Sequence, residues 1–345
     1  MLLLQLINFK ISIQFRNQLY LFPMNKRTLV NSKRNQEIEK GYLAIKFNTH
    51  KKSNTLKMES FENVSWSQLK YLKVSLNSVT EIKQVDISVL QMVISKSTSI
   101  KTLKIKWNST IDLKPECVAL LFNSLIKCKN LKRLVLNFNF SRLQLSIYQL
   151  LPQFLVKLQD LEDLSLHFNS CNVNSDECQQ ISTAISQCSK LKTLELNLNF
   201  NKICNLSLSL LIQFFRSLRH FKFLNLILTK NQISDSGIAY LFQQLKDVKN
   251  LKRLFLKLNG NDITNNCAQV ISKGLNGCKH LQQFSMNLQC TNFCLKGLRE
   301  LSDNLNSGLN INFLKIVLDY QEKPKNFQND LMKKLFNLVK LDIDI

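Results

Sequence analysis

His167 stands close behind Glu162 and Asp163, and an imidazole beside two carboxylates is the smallest set that could move a proton. The run Asp163-Leu164-Ser165-Leu166-His167 alternates polar and apolar residues, so on a strand Asp163, Ser165 and His167 would point together to a solvent face. A surface histidine with acidic neighbours is far more often a solvated group than an active site. Sulfur offers little more. The ten cysteines include no CxxC pair and no Cys/His set at zinc-finger spacing, Cys290 and Cys294 being the nearest approach. No phosphate loop, kinase set, GxSxG elbow or HExxH is present, and seven glycines leave little material for phosphate-cradling turns. These absences predict a protein that is not an enzyme, with no catalytic residue, metal or cofactor.

Charge is the stronger chemical signal. Forty-seven Lys and Arg against twenty-four Asp and Glu leave a formal charge of +23, which favours acidic partners: an acidic protein, nucleic acid or an anionic membrane surface. Abundant Lys, Asn and Ile throughout also fit a compositional bias that simply keeps the chain soluble. The start MLLLQLINFK has no basic leader and is interrupted by Lys10 and Arg16, and Met24 could serve as the first residue. No run approaches eighteen apolar residues, so no membrane span is expected. A chain this long is not a small disulfide framework, and reduced thiols in the cytoplasm or nucleus are expected.

The elements that must position these charges follow from periodicity. Anchors of L-x-x-L-x-L fall at Leu69, Ile100, Leu131, Leu161, Leu191, Phe221, Leu251, Leu281 and Ile311, stepping by thirty from Leu131 onward. Each opens an alternating run such as Leu194-Glu195-Leu196-Asn197-Leu198, the period of a half-buried strand. The period then becomes helical, as over 237–245, with Asp235 placed to accept orphan backbone N–H groups at the helix start. Strand, turn, helix and loop repeated in one direction predict a parallel sheet on one side and helices on the other. Asn201, Asn231 and Asn261 recur thirty apart where the chain leaves the strand, in phase with Cys171 and Ser141, and read as structural amides that bond turn backbone. Cys128, Cys188 and Cys278 share another phase with Leu158, Leu218 and Val248, and read as small core hydrophobes.

The pattern L-x-x-L-x-L-x-L-x-x-N-x-I followed by a helix resembles the leucine-rich repeats of the ribonuclease-inhibitor type over roughly residues 60–345. The resemblance implies an α/β solenoid, a curved horseshoe with strands on the concave face and helices on the convex face. It implies binding rather than one particular activity, since that family includes inhibitors, sensor arms, scaffolds and GTPase regulators. The glycine usual at the helix start stands clearly only at Gly237, and the first two units are spaced by thirty-one.

Residues 1–60 carry eleven Lys or Arg against three Glu and no clean repeat, which predicts a basic segment, partly disordered or a degenerate cap around 41–47. Residues 61–345 then hold about nine to ten repeats. From Glu322 the chain reads as a helix and a last strand anchored at Leu338, with Asp342 and Asp344 blunting the sheet edge.

The polar positions between strand hydrophobics form the candidate binding surface. Its amino-terminal third is basic: Lys70, Lys73, Lys101, Lys104, Lys106, Lys132 and Arg133. Lys252, Arg253 and Lys257 form a second basic spot flanked by Phe223 and Phe255. The expectation is a scaffold that binds another protein, with an acidic surface, on this concave face. The alternatives are electrostatic binding of nucleic acid or anionic lipid through the basic third, or GTPase regulation within the same fold.

Overall fold

Every alternating run that can be followed becomes a strand, and each switch to a helical period becomes a helix. The computed structural model describes residues 10–14, 16–17, 20–21, 42–48, 66–77, 91–97, 99–108, 115–306, 308–319 and 340–344. It divides into two units, Met1–Leu166 and His167–Ile345.

In the first unit, β1 (Lys10–Gln14) pairs antiparallel with β4 (Tyr42–Asn48), while β2 (Arg16–Asn17) and β3 (Tyr20–Leu21) form a separate small ladder. β4, β5 (Tyr71–Asn77), β6 (Thr102–Asn108) and β7 (Arg133–Asn137) then run parallel. The register aligns Leu72, Leu103 and Leu134, all buried, with helices Pro115–Leu125 and Leu145–Leu155 following their strands. Trp107 and Phe138 stack in this core with ring centroids 4.5 Å apart. β8 (Asp163–His167) lies at the boundary of the units.

The second unit is more regular. β9 (Thr193–Asn197), β10 (Phe223–Ile227), β11 (Arg253–Lys257), β12 (Gln283–Asn287), β13 (Phe313–Val317) and β14 (Lys340–Asp344) pair in parallel, each with the next. Leu194, Leu224, Leu254, Phe284, Leu314 and Leu341 align, and the first five are buried. The anchors Leu191, Phe221, Leu251, Leu281 and Ile311 are also buried. Helices sit between the successive strands from β9 to β13; Asp235–Leu245 buries Gly237, Ile238, Leu241, Phe242 and Leu245, the spacing of one apolar helical stripe. Each unit is thus an open α/β repeat, and the architecture fits a leucine-rich-repeat solenoid. The helix expected from Glu322 and its anchor Leu338 lie outside the described residues, as do Gly41 and the start around Met24.

Two ladders of polar side chains hold the turns. Asn201 accepts the N–H of Val173 at 2.9 Å and of Cys171 at 3.1 Å, and donates to the carbonyls of Phe168 and Leu198, both at 2.9 Å. Asn231 repeats this toward Ile203 N–H and the carbonyls of Leu198 and Leu228, and Asn261 toward Ile233 N–H and those of Leu228 and Leu258. A buried turn otherwise leaves these backbone groups unsatisfied.

The second ladder corrects the reading of Asp235. The residue before this helix is Ser234, and the Asp235 carboxylate instead accepts the backbone N–H of Thr264 at 2.7 Å and its hydroxyl at 2.5 Å, reaching the next repeat. Asn205 and Asn265 stand in the same phase and bond Ser234 N–H and Cys294 N–H, each at 2.9 Å. Their closeness also explains the glycines. A Cβ at Gly237 would lie 2.5 Å from Asn205 Oδ1, and one at Gly297, sixty residues on, would strike Asn265 Oδ1. The helix-start glycine is therefore present at Gly297 as well as at Gly237.

Candidate functional site

The parallel register sorts outward side chains into ranks, because strand residues alternate between the helix-facing core and the opposite face. In the first unit Lys73 lies opposite Lys104, whose ammonium stands 5.7 Å from the Tyr71 ring centroid; the rank then passes to Val135. Lys106 lies opposite Ser75 and Asn137, and Lys106 and Arg133 are exposed. Lys70, Lys101 and Lys132 occupy the position before each strand. Their backbone is shared: Lys101 N–H and Thr102 N–H donate to Lys70 O at 2.8 and 3.0 Å, and Lys132 N–H and Arg133 N–H to Lys101 O. The seven basic residues thus fall in separate ranks across three neighbouring strands. Lys132 pairs with Glu162 at 3.1 Å, which reduces its pull on an external anion.

In the second unit the ranks bring together what the linear sequence separates. Phe223 lies opposite Arg253 on the next strand, and the Arg253 guanidinium carbon stands 4.5 Å from the Phe223 ring centroid. Phe255, one outward position along from Arg253, meets Phe223 edge to face with centroids 5.2 Å apart. Rather than flanking a basic spot, the two rings and the guanidinium form one cluster, half-buried at Phe223 and Phe255 and exposed at Arg253. Lys252 and Lys257 are exposed at its borders. Ile227, an outward position opposite Lys257, is buried, which extends the apolar floor.

Lys222 belongs to this site. It is exposed, immediately precedes Phe223, and its carbonyl accepts Lys252 N–H at 2.8 Å and Arg253 N–H at 3.0 Å. Lys222 lies thirty residues from both Lys192 and Lys252, and that step carries the signal that places it.

The acid/base residues Glu162, Asp163 and His167 are all half-buried, on or immediately before β8. His167 is half-buried, and burial holds its imidazole below its ordinary value while the Glu195 charge works the other way. Ser165 is buried rather than presented to solvent, as a short side chain among longer ones. Cys128, Cys188 and Cys278 are buried, and burial pushes their thiols up to about 11, 12 and 12. Such thiols are protonated at neutral pH and are poor nucleophiles. Cys204 and Cys294 are shifted down instead, by hydrogen bonds from Ser207 and Asn265. Among the described residues no three His, Cys, Asp or Glu side chains are grouped to hold a metal, and no helix is long and apolar enough to cross a membrane.

No family model and no curated protein matches the chain. Among solved structures it is similar to a chain of the glycosylated Toll–Spatzle complex of Drosophila, at 13% identity and a TM-score of 0.43 over 88% of this chain. The matched region spans 40% of that chain's length, and a likeness this distant carries no argument about function. The repeat architecture rests on the strand register and on the asparagine ladder of the chain itself.

Proposed function

We propose that this chain is a non-enzymatic scaffold of the ribonuclease-inhibitor-like leucine-rich-repeat type, with residues 61–345 forming about nine to ten repeats behind a basic amino-terminal segment. It binds another protein on its concave strand face. The observation that carries this reading is the Phe223–Arg253–Phe255 cluster, because partly exposed aromatic rings with a guanidinium fork are the side chains that dominate interface energy. A strand face holds them in fixed ranks, so little conformational freedom is lost on binding. The cluster disfavours single-stranded nucleic acid, since Arg253 covers one face of Phe223 and Phe255 packs edge to face with the same ring, leaving poor platforms for base stacking.

The exposed cations Lys106, Arg133, Lys252 and Lys257 support a partner with an acidic surface. Nine described cysteines are free thiols, which supports a reducing cytoplasmic or nuclear setting. Affinity capture of the full chain from its own cell extract at moderate salt, with and without nuclease, tests the reading. A discrete protein partner that survives nuclease is expected; loss of every bound species on nuclease treatment would overturn it in favour of nucleic-acid binding.

A further inference from the structure

We infer that loops 215–222 and 244–252 of the second unit form a second docking site, a groove that takes an acidic protein segment; this rests on the scaffold reading above. Arg216, Arg219 and Lys222 recur three apart, and Lys246, Lys249 and Lys252 repeat them thirty residues later. All six are exposed, and none forms an ion pair among the described residues. The two loops are fixed to each other: Asn250 Nδ2 donates to Arg219 O and Lys252 N–H to Lys222 O, both at 2.8 Å. Arg216, Arg219, Lys246 and Lys249 therefore stand on neighbouring rungs in the loops that lead to Lys222 and Lys252 at the border of the strand face.

Local structure keeps the site rigid. The chain narrows into a 3-10 turn over Ile212–Ser217, where Phe214 and Phe215 meet edge to face at 4.7 Å and both approach Phe221, at 6.5 and 6.4 Å. The Ser182 hydroxyl accepts Phe214 N–H at 3.2 Å, tying the turn to the helix Ser175–Ser186 of the repeat before. Between the loops lies a groove of about 450 Å³ lined by Arg216, Arg219, Gln244, Asp247, Lys249 and Asn250 over a floor of Phe215 and Leu218.

The lining favours a peptide over a nucleic acid. Its aromatic residue, Phe215, is buried and offers no ring for a base to stack on. Asp247 is exposed in the groove and would repel a phosphate, whereas it can accept the backbone N–H of a bound peptide. A peptide brings both carboxylates for the guanidinium forks and N–H donors for the Asp247 carboxylate; a DNA backbone brings acceptors alone.

The test uses the full chain and two fluorescent probes, a poly-glutamate peptide and a single-stranded oligothymidylate of equal charge, titrated by anisotropy at moderate salt. Arg216→Glu with Lys249→Glu changes the groove. Lys202→Glu with Lys230→Glu, at exposed positions after the strands, makes the same change in net charge elsewhere. The milder pair Arg216→Gln with Lys249→Gln repeats the groove test without introducing repulsion, and unchanged thermal melting confirms that each variant folds. The groove pairs are expected to weaken peptide binding by at least about tenfold and the control pair by less than about twofold, with the peptide bound more tightly than the oligonucleotide. Equal loss in groove and control variants, or no peptide binding at all, would overturn the inference. Tighter oligonucleotide binding that the groove variants abolish would reassign the site to nucleic acid. A nuclease-resistant partner still captured while the peptide fails would sink the groove alone, whereas loss of all protein capture would sink the scaffold reading beneath it.

Discussion

The side-chain amide of Asn231 donates to the carbonyl of Leu198, 3.0 Å away and one repeat earlier, and the same carbonyl accepts from Asn201 at 2.9 Å. Each asparagine therefore joins its own turn to the one before, and the ladder couples neighbouring repeats through buried polar groups. Asn231→Ala leaves Ile203 N–H and the carbonyl of Leu228 without these partners. We predict a loss of ~1–3 kcal/mol in stability, measured by chemical denaturation. A variant as stable as the parent would show that the ladder contributes nothing.

The turn beside this ladder stores backbone strain. Phe140, Ser170, Phe200, Lys230, Gly260 and Cys290 recur thirty apart, and all have left-handed φ between 52° and 70°. Gly260 alone adopts this conformation without steric cost. Gly260→Ala should therefore destabilise by about 1 kcal/mol, while Ser170→Gly, at φ 54°, should stabilise by roughly 0.5 kcal/mol. Paired thermal melts check the two opposite signs, and two shifts in the same direction would contradict the assignment.

Thiol reactivity follows burial and pH. Cys290 is exposed and Cys204 and Cys294 are partly so, whereas Cys128, Cys188 and Cys278 are buried with raised pKa. A thiol reagent at neutral pH should label the first three in the native protein and the second three only after unfolding. A folded-state pKa above the unfolded one contributes stability that is complete below the unfolded value and lost as pH rises through the folded value. Stability should therefore fall from about pH 9 toward pH 11–12 as the unfolded chain releases these protons first. Fast labelling of Cys188 in the native state, or undiminished stability across that window, would contradict the burial assignment.

How much was legible in the sequence differs by physical cause. The solenoid was legible because Leu194, Leu224, Leu254 and Phe284 keep one phase, and a parallel sheet with one buried face demands that repetition. The left-handed turn was hidden, since five of its six occupants are not glycine and propensity alone would not assign them positive φ. Asp235 looked like a helix cap because local pattern cannot show that Thr264, one repeat later, lies nearer to its carboxylate than its own helix start does. Lys222 shares the pre-strand phase of Lys252 and was within reach of the thirty-residue step, whereas Arg216, Arg219, Lys246 and Lys249 fell outside the reading because they lie in the loops before the strands, where alternation selects nothing. Phe223 and Phe255 were visible as outward residues, yet their joint stacking with Arg253 needs the inter-strand register, which no spacing within one strand supplies.

The strand-face cluster should act as a unit in binding. Arg253→Ala removes the cation over Phe223, and Phe255→Ala removes the ring packed edge to face with it, so the double variant should lose less affinity than the two single losses combined. Strict additivity would mean that the three side chains act separately.

The most direct measurement is calorimetric titration of the captured partner against the parent chain and the Arg253→Ala with Phe255→Ala variant, with thermal melting recorded for both. The account predicts at least about tenfold weaker binding with the melting temperature nearly unchanged. Full-strength binding by a folded variant would contradict the assignment of the concave strand face as the site where this chain holds its partner.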